Sequence, residues 1–357
     1  MKIIFCCSHE EYKIIQAIAK RTGVLNILCS NNFKNTKKSL INVGVTGVGG
    51  AAGICCIKSL KGIKNIRIIG IDADPLSAGF KFVHSSFVIP YANDQKFIPE
   101  LIKICKKEGI TVLIPTVDEE LLPISKASQL FLEVGTKVAV SDPQTIEITN
   151  DKWLLYQKLL SAGIPVPHSW LPESLEGMNF PVIVKPRRGR GSRDIYICQD
   201  NDDLLYALKK CKNPIIQEFL PGNEYTIDVL ADLNGHLIVA VPRRRIEVKG
   251  GVSWKGKTEH NLELEELSKK IVEILKLRGP ACIQARFDKN NKPKIFEINA
   301  RIGGTTILTV KAGVNIPYLT VKLFLGKKIP SRLTFSEKFI VRYFEETYFS
   351  PDEVMAR

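Results

Sequence analysis

The stretch "IQARFDKNNKPKIFEINARIGG" occupies residues 283–304. Apolar and polar residues alternate on both sides of Asn290 and Asn291, which is the pattern of a β-hairpin with a two-residue loop. In that register Gln284 faces Glu297 across the hairpin. The stretch therefore predicts two paired strands with one polar and one apolar face.

The second strand of this hairpin separates its side chains by chemistry, because successive side chains of a strand point to opposite faces. One face carries a carboxylate, an amide and a guanidinium, from Glu297, Asn299 and Arg301. The other face is apolar and carries Phe296, Ile298 and Ala300. We expect the polar face to line a site and the apolar face to form the back of the hairpin.

Three oxygen-bearing side chains on the polar face suit a magnesium ion: Gln284, Glu297 and Asn299. Mg²⁺ prefers oxygen ligands and often takes only one or two carboxylates, leaving other positions to water and phosphate. Arg301 would then neutralise charge on a transferred phosphoryl group. The alternative is a solvated hairpin face with one ion pair, since surface ion pairs are common and weak.

A second hairpin is predicted around Asn234-Gly235, a strong two-residue turn signal. Its register places Glu224 opposite Arg245 and leaves Arg243 on the same face. Two arginines on one face suit a carboxylate or phosphate substrate, which guanidinium groups bind with paired hydrogen bonds. Cross-strand charge pairing that only stabilises the sheet is the alternative.

The stretch "VIVKPRRGRGS", residues 182–192, ends a strand in positive charge and small residues. Lys185 would reach a phosphate from the strand end, and Gly189 and Gly191 would let backbone N–H groups converge on an anion. The order of residues is not that of a Walker A loop. A solvated surface turn and a nucleic-acid patch are the alternatives.

The glycine-rich "GVGGAAG", residues 47–53, follows a strand and precedes a helix. Asp72 follows at a strand end, at a spacing that imitates a dinucleotide-binding fingerprint. This pattern supports an alternative function, an NAD-dependent oxidoreductase. It is also typical of a tight turn that packs a helix closely on a sheet.

Composition narrows the class of protein. The 357 residues carry a net charge of +14, but the lysines are scattered, so nucleic acid is not the expected ligand. No run of about 18 uncharged apolar residues and no apolar leader are present, so we expect neither a membrane span nor a signal peptide. Nine cysteines without a CxxC pair indicate a reducing, cytoplasmic setting.

The order of elements predicts several domains. Residues 1–40 form a short strand-helix-strand segment without an assigned role. Alternating strands and helices over 41–148 predict a doubly wound, Rossmann-like domain. An α+β domain follows over 149–330, with a lid subdomain at about 153–215, and 331–357 form a C-terminal extension with a strand-like "FIVRYFEE".

Several motifs in order resemble the ATP-grasp superfamily, and in particular one half of a carbamoyl-phosphate synthase large subunit. The similarity spans roughly 42–330 and rests on "DKWLLYQKLLSAGIPVP", "PVIVKPRRGRGS", "IIQEFLPGNEYTIDV", "PRRRIEVKGGVS" and the hairpin quoted above. It implies a Rossmann-like pre-ATP-grasp domain, which usually does not bind NAD, followed by a two-subdomain ATP-grasp fold.

The resemblance also implies residue roles. Lys152 and Lys185 would hold ATP phosphates, and residues 189–192, including Ser192, would form the lid loop. The adenine pocket would be lined by Gln217, Glu218 and Leu220, while Glu224 would bind the ribose. Gln284, Glu297 and Asn299 would hold Mg²⁺, with Mn²⁺ as a substitute, and Arg301 would steady the transferred phosphate.

The implied reaction is activation of a carboxylate by ATP, followed by displacement of phosphate by an amine or ammonia. The expected partners are therefore small-molecule carboxylate and amine substrates, and a homodimer is compatible with the sequence. Catalysis would rest on positioning and electrostatics, so no histidine or cysteine nucleophile is required. A non-catalytic nucleotide-binding module is a further alternative.

Overall fold

The computed structural model describes residues 40–189, 191 and 193–355. From Leu40 onward the chain forms one compact unit. The strand-helix-strand segment predicted for 1–40 lies outside the described residues, apart from Leu40. No helix in the described part of the chain is long and apolar enough to cross a membrane.

The first sheet has five parallel strands in the order β3-β2-β1-β4-β5. Its strands are β1 Ile41–Thr46, β2 Ile66–Asp72, β3 Ser85–Val88, β4 Val112–Ile114 and β5 Lys137–Val138. Its helices are α1 Ala51–Leu60, α2 Phe97–Glu108, α3 Asp118–Lys126, α4 Ser128–Glu133 and α5 Pro143–Asn150, with a 3₁₀ turn at Ala78–Phe82. Apolar side chains of β1 and β2 pack on helices at both faces, so the predicted doubly wound, Rossmann-like architecture is confirmed.

The lid sheet has four antiparallel strands in the order β6-β9-β7-β8. Its strands are β6 Ser169–Trp170, β7 Val182–Pro186, β8 Tyr196–Cys198 and β9 Pro214–Glu218. Helix α6, Lys152–Ser161, precedes this sheet, and helix α7, Asn201–Lys210, packs on it.

The central sheet has six antiparallel strands in the order β14-β13-β10-β11-β12-β15. Its strands are β10 Glu224–Ala231, β11 Leu237–Lys249, β12 Val252–Thr258, β13 Gly279–Phe287, β14 Pro293–Asn299 and β15 Phe339–Val341. The remaining helices are α8 Leu262–Leu275, α9 Ile307–Ala312, α10 Ile316–Phe324 and α11 Pro351–Met355. The predicted mixed α/β and α+β class is therefore confirmed.

The β13–β14 hairpin has the predicted pairing at its functional end and a different loop. Gln284 pairs with Glu297, but a β-bulge follows at once, and Ala285 then pairs with Ile295. The loop is longer than the two residues predicted, because Asp288 and Lys292 close it by a backbone hydrogen bond of 2.9 Å. One extra residue in β14 compensates for the longer loop, which keeps the distal register correct.

The bulge also corrects the predicted faces of β14. Ile298 and Ala300 are buried in the core as expected. Phe296 is not on that apolar back, because its ring lies under the Lys185 ammonium at 5.0 Å and lines a cavity. A bulge places neighbouring residues outside the strict alternation of a strand, so the two-residue period fails at this position.

The β10–β11 hairpin shows the same behaviour. Glu224 pairs with Arg245 as predicted, and a bulge at Ala231 again accompanies a longer turn. The turn is closed by Asp232, whose N–H donates to the carbonyl of His236 at 2.8 Å. In both hairpins the predicted register near the functional end is correct, because a bulge offsets the longer loop.

A buried carboxylate, Asp228 of β10, joins the central sheet to helix α9. It accepts two hydrogen bonds of 2.7 Å from Arg243 of β11, and both side chains are at most 3% exposed. Thr306 and Thr309 at the start of α9 also donate to it, and so does the thiol of Cys282 on β13. Five donors thus surround this carboxylate.

The Asp228 network yields a stability prediction. Asp228→Asn removes the charge that compensates the buried Arg243 guanidinium, so the free energy of unfolding should fall by about 3–5 kcal/mol. Adding Arg243→Met removes the uncompensated cation, and the double variant should lose less than the single one. Urea unfolding of the three proteins measures this; a single variant within about 1 kcal/mol of the parent would contradict it.

Candidate active site

Two adjoining cavities gather nearly all of the predicted site residues. The lid cavity, between the lid and central sheets, measures about 460 Å³ and is lined among others by Lys152, Lys185, Gly189, Gln217, Leu220, Glu224 and Glu297. The inner cavity, between the central and first sheets, measures about 270 Å³ and is lined among others by Arg243, Asn299 and Arg301. The cavities meet at five residues that line both: Gly191, Arg193, Arg245, Gly251 and Gln284.

Lys185, at the end of β7, is the most perturbed cation of the lid cavity. Its side chain is buried, and burial lowers the pKa of its ammonium to about 8. Lys152 lowers this pKa further, whereas the Glu297 carboxylate opposes the decrease. A lysine held at low pKa in a cavity is poised to gain from an anionic ligand, because phosphate oxygens would restore its charge.

The start of α6 holds the loop that follows β7. Asp151 caps α6 by accepting the backbone N–H groups of Trp153 and Leu154. The same carboxylate accepts the Arg187 side chain at 2.8 and 3.2 Å, and Arg187 O accepts the Lys152 N–H. Although burial opposes it, these hydrogen bonds keep the pKa of Asp151 below its usual value. Lys152 is thereby fixed beside the loop.

The loop itself reaches the junction of the two cavities. Gly189 and Gly191 have φ values of 149° and 71°, which L-residues rarely adopt, so these glycines are required for the path of the loop. A Cβ added to Gly251, in the β11–β12 turn, would lie 2.9 Å from Gly191 Cα. The loop and that turn are therefore in close backbone contact over the junction. Ser192 lies outside the described residues.

The part of the lid cavity predicted to hold the adenine is lined by apolar side chains and one amide side chain. Ile183 and Ile197 of the lid sheet line it beside Gln217 and Leu220. Glu218, predicted to line the same pocket, is not among its lining residues. Its carboxylate instead accepts the Lys294 ammonium at 2.7 and 2.8 Å, so its side chain is turned away.

The three side chains predicted to hold magnesium are Gln284, Glu297 and Asn299, and they lie together as the hairpin register predicted. Glu297 and Gln284 lie opposite each other, and the Asn299 amide lies 3.4 Å from a Glu297 oxygen. No group of three or more His, Cys, Asp or Glu able to hold a metal occurs in the described ranges. One carboxylate with two amides nevertheless fits Mg²⁺, which leaves its remaining positions to phosphate and water.

Arg245 joins the two cavities and has unused hydrogen-bonding capacity. Its side chain is 6% exposed and lies 3.1 Å from Glu224, while Nη2 donates to Gly251 O at 2.8 Å. Its Nε is a buried donor without a partner among the described residues. A buried, unpaired guanidinium donor is costly, so this geometry favours an anion at the junction.

The other two predicted arginines of the inner cavity are already paired. Arg243 donates to Asp228, as described above, so it also stabilises the fold when no ligand is bound. Arg301 donates to Asp118 at 2.6 and 2.7 Å, and this carboxylate outweighs burial to raise the pKa of Arg301. Sequence reasoning missed Asp118, although it lies four residues after the end of β4, at the start of α3 in "TVDEEL", and the carboxyl ends of parallel strands commonly form sites.

The structure argues against the dinucleotide alternative. Asp72 does not present a free carboxylate, because it accepts the backbone N–H groups of Gly49, Ala73 and Asp74. A Cβ added to Gly304 would lie 2.8 Å from the Ala51 Cβ at the start of α1. The loop after β14 thus packs close to the start of α1, and the glycine-rich turn serves this close packing and lines the inner cavity.

Comparisons with known proteins agree with this architecture. Residues 210–347 match the family described as "ATP-grasp in the biosynthetic pathway with Ter operon", and residues 47–139 match the "PylC-like, N-terminal domain" family. The chain is 24% identical over 260 residues to a carbamoyl-phosphate synthase of Methanobrevibacter smithii, across 68% of this chain and 70% of that protein.

Of two further similarities, one covers a smaller part of the chain and the other concerns the fold alone. A D-alanine–D-alanine ligase of Fusobacterium nucleatum is 36% identical over 104 residues, which are 29% of this chain and only 36% of that protein. The biotin carboxylase domain of Hydrogenobacter thermophilus 2-oxoglutarate carboxylase, solved with MgADP, ADP and bicarbonate, has a TM-score of 0.70 at 15% identity. That likeness covers 84% of this chain and 74% of the other, and it concerns the fold.

None of these similarities supports the oxidoreductase alternative. The chain therefore contains an ATP-grasp domain, matched over 210–347, preceded by a PylC-like N-terminal domain, matched over 47–139.

Proposed function

We propose that the protein is an ATP- and Mg²⁺-dependent carboxylate–amine ligase. One observation carries this proposal: the lid cavity and the inner cavity meet at a shared set of charged and polar residues. A nucleotide in the lid cavity would present its terminal phosphate to an acid in the inner cavity. The name of one relative, a D-alanine–D-alanine ligase, is consistent with this reaction.

The lid cavity would hold ATP. Lys152 and Lys185 would bind its phosphates, and the loop with Gly189 and Gly191 would cover them. The adenine would lie between the apolar lid residues and Leu220, and Glu224 would accept hydrogen bonds from the ribose. Because the Glu218 side chain is held by Lys294, its contribution to the nucleotide would come from its backbone.

Magnesium would be held by Gln284, Glu297 and Asn299 together with phosphate oxygens. When bound, the ion supplies positive charge that offsets the phosphate charge. The solved fold neighbour with MgADP is consistent with this choice of ion. Mn²⁺, which accepts similar oxygen ligands, would substitute for it.

The inner cavity would hold the acid beside Arg245 and Arg301. A carboxylate oxygen attacks the terminal phosphorus, the bond to the bridging oxygen breaks, and ADP leaves. The amine nitrogen then attacks the acyl carbon, phosphate leaves, and the nitrogen loses a proton to give the amide. The loop over the junction excludes water, which would otherwise hydrolyse the acyl phosphate.

We propose a domain division at about 148, because the parallel sheet ends at Val138 and the lid sheet begins at Ser169, and another at about 330, because helix α10 ends at Phe324 and β15 begins at Phe339. A reducing, cytoplasmic location is supported by the six described cysteines, which are all free and buried. A homodimer is proposed by analogy with the dimeric fold neighbour.

The first prediction of this function concerns Glu297. Glu297→Gln removes the single carboxylate of the metal set, so acid-dependent ADP release should fall at least about a hundredfold. A panel of bicarbonate and small carboxylic and amino acids, each tested with Mg·ATP and ammonia, provides the assay. The matched control is Glu266→Gln, an exposed carboxylate on α8, which should retain the parent rate. Unchanged turnover in Glu297→Gln would refute the proposed mechanism.

The second prediction concerns pH. Since the pKa of Lys185 in the free protein is about 8, the lysine is charged below that pH and neutral above it. Binding of Mg·ADP above pH 8 must therefore take up a proton, and its Kd should rise by up to about tenfold per pH unit. Calorimetry in buffers of different ionisation enthalpy measures this uptake.

The control for this pH dependence is Lys185→Arg, because an arginine stays charged throughout. If this variant binds Mg·ADP, its Kd should be nearly constant from about pH 7 to about pH 9.5. Absence of proton uptake by the parent protein at about pH 8.5 would show that Lys185 does not bind the phosphates.

A further inference from the structure

The C-terminal segment 335–353, here called the strap, is not explained by the proposed function. It begins after helix α10, adds β15 to the edge of the central sheet and ends in α11. Its middle carries Arg342, the first residue after β15. The sequence predicted a strand in this segment, and β15 confirms it, but no role followed from that strand.

One half of the strap is attached to β12. The β15 residues pair with Lys255, Gly256 and Lys257 in antiparallel register. The pairing continues on both sides of the short strand, because Thr258 N donates to Lys338 O and Arg342 N donates to Trp254 O. The position of Arg342 along β12 is therefore fixed by backbone hydrogen bonds.

The other half of the strap is attached to the first domain. Phe349 packs against the core cluster that includes α1 and the first sheet. Lys81, in the 3₁₀ turn, lies 5.1 Å from the Phe349 ring centroid and pairs with Glu353. The strap thus spans the two domains whose surfaces form the inner cavity.

Between these attachments, the Arg342 guanidinium holds two walls of the inner cavity. Its Nε donates to Ser253 O at 3.0 Å, and its Nη2 donates to Gly304 O at 2.6 Å and lies 3.5 Å from Thr305 Oγ1. Ser253, Gly304 and Thr305 all line that cavity. Arg342 itself lies behind the wall.

The charge of Arg342 differs from that of three arginines that line the cavity. Arg243, Arg245 and Arg301 each pair with a carboxylate. In the described part of the chain, the hydrogen-bond partners of Arg342 are neutral oxygens only. Its positive charge is thus not offset by an acidic partner, which leaves a favourable potential for an anion in the cavity beside it.

We propose that the strap completes the acid-binding cavity, with Arg342 as a positioning residue that fixes the Ser253 and Gly304 walls and adds the positive charge that retains the acid. The proposal rests on the proposed ligase function for the identity of the ligand. The class of ligand is a small carboxylate, because the cavity is small and its arginines converge on it.

The kinetic test uses the full-length protein, Mg·ATP and the acid that most stimulates ADP release. Arg342→Gln should raise the KM for that acid about ten- to hundredfold, the effect expected for losing charged hydrogen bonds. The KM for ATP should stay within about twofold, because Arg342 does not line the lid cavity. Arg342→Lys should recover part of the loss, and guanidinium ion should partly restore Arg342→Ala.

The matched control is Tyr343→Ala, since Tyr343 is the next residue of the strap and is 77% exposed. It should keep the parent KM values for both substrates. If the KM values for acid and ATP rise together in Arg342→Gln, or if neither changes, the proposal is overturned.

Hydrogen exchange separates failure of this inference from failure of the ligase function. If the parent protein releases no ADP with any acid, the ligase proposal fails, and exchange still tests the wall contacts. Backbone amides in 302–306 should exchange faster in Arg342→Gln than in the parent or in Tyr343→Ala. Unchanged exchange in that segment would overturn the role of Arg342.

Discussion

The buried carboxylate of Asp228 is the interaction on which the arrangement of the site depends. It lies in the middle of the central sheet and gathers donors from the neighbouring strands and from the start of α9. Because an uncompensated charge in that position would be very unfavourable, the strands and the helix can adopt few other arrangements. The carboxylate thereby positions Arg243 and the loop at 303–306, which form one side of the inner cavity.

The same principle extends across the active site. Arg301 is paired with a carboxylate from the first domain, and Arg245 is paired with Glu224 on the adjacent strand. These pairs keep the guanidinium groups in place before a substrate arrives, so little reorganisation is needed when phosphate charge enters. Lys185 is the exception, since its burial disfavours its own charge. Burying this ammonium lowers the stability of the protein without ligand, as is expected at a site that binds anions.

Local patterns were sufficient to predict much of this site. The pairing of Gln284 with Glu297 was predicted from a two-residue loop, and the structure confirms the pairing because a bulge compensates for the longer loop. The face of Phe296 was predicted wrongly because a bulge compensates for the longer hairpin loop, and no residue in the sequence marks a bulge unambiguously. The Asp72 spacing imitated a cofactor site, but the backbone N–H groups around it were not visible in the sequence.

The contacts that could not be predicted are those between distant segments. Asp118 and Arg301 are 183 residues apart, and Arg342 reaches Gly304 from an element with only a short strand signal. Such pairs depend on how the domains pack, which no periodicity encodes. They also determine the inner cavity, so the sequence predicted the lining of the lid cavity better than that of the inner cavity.

The central claim is that an acid in the inner cavity attacks the terminal phosphate of a nucleotide in the lid cavity. Isotope transfer tests it most directly, with the stimulating acid labelled with ¹⁸O in its carboxylate and the released phosphate analysed by mass spectrometry. Formation of an acyl phosphate followed by amide formation requires that one labelled oxygen appear in each phosphate. Phosphate that carries no label from the acid would mean that water attacks ATP, and it would contradict the account.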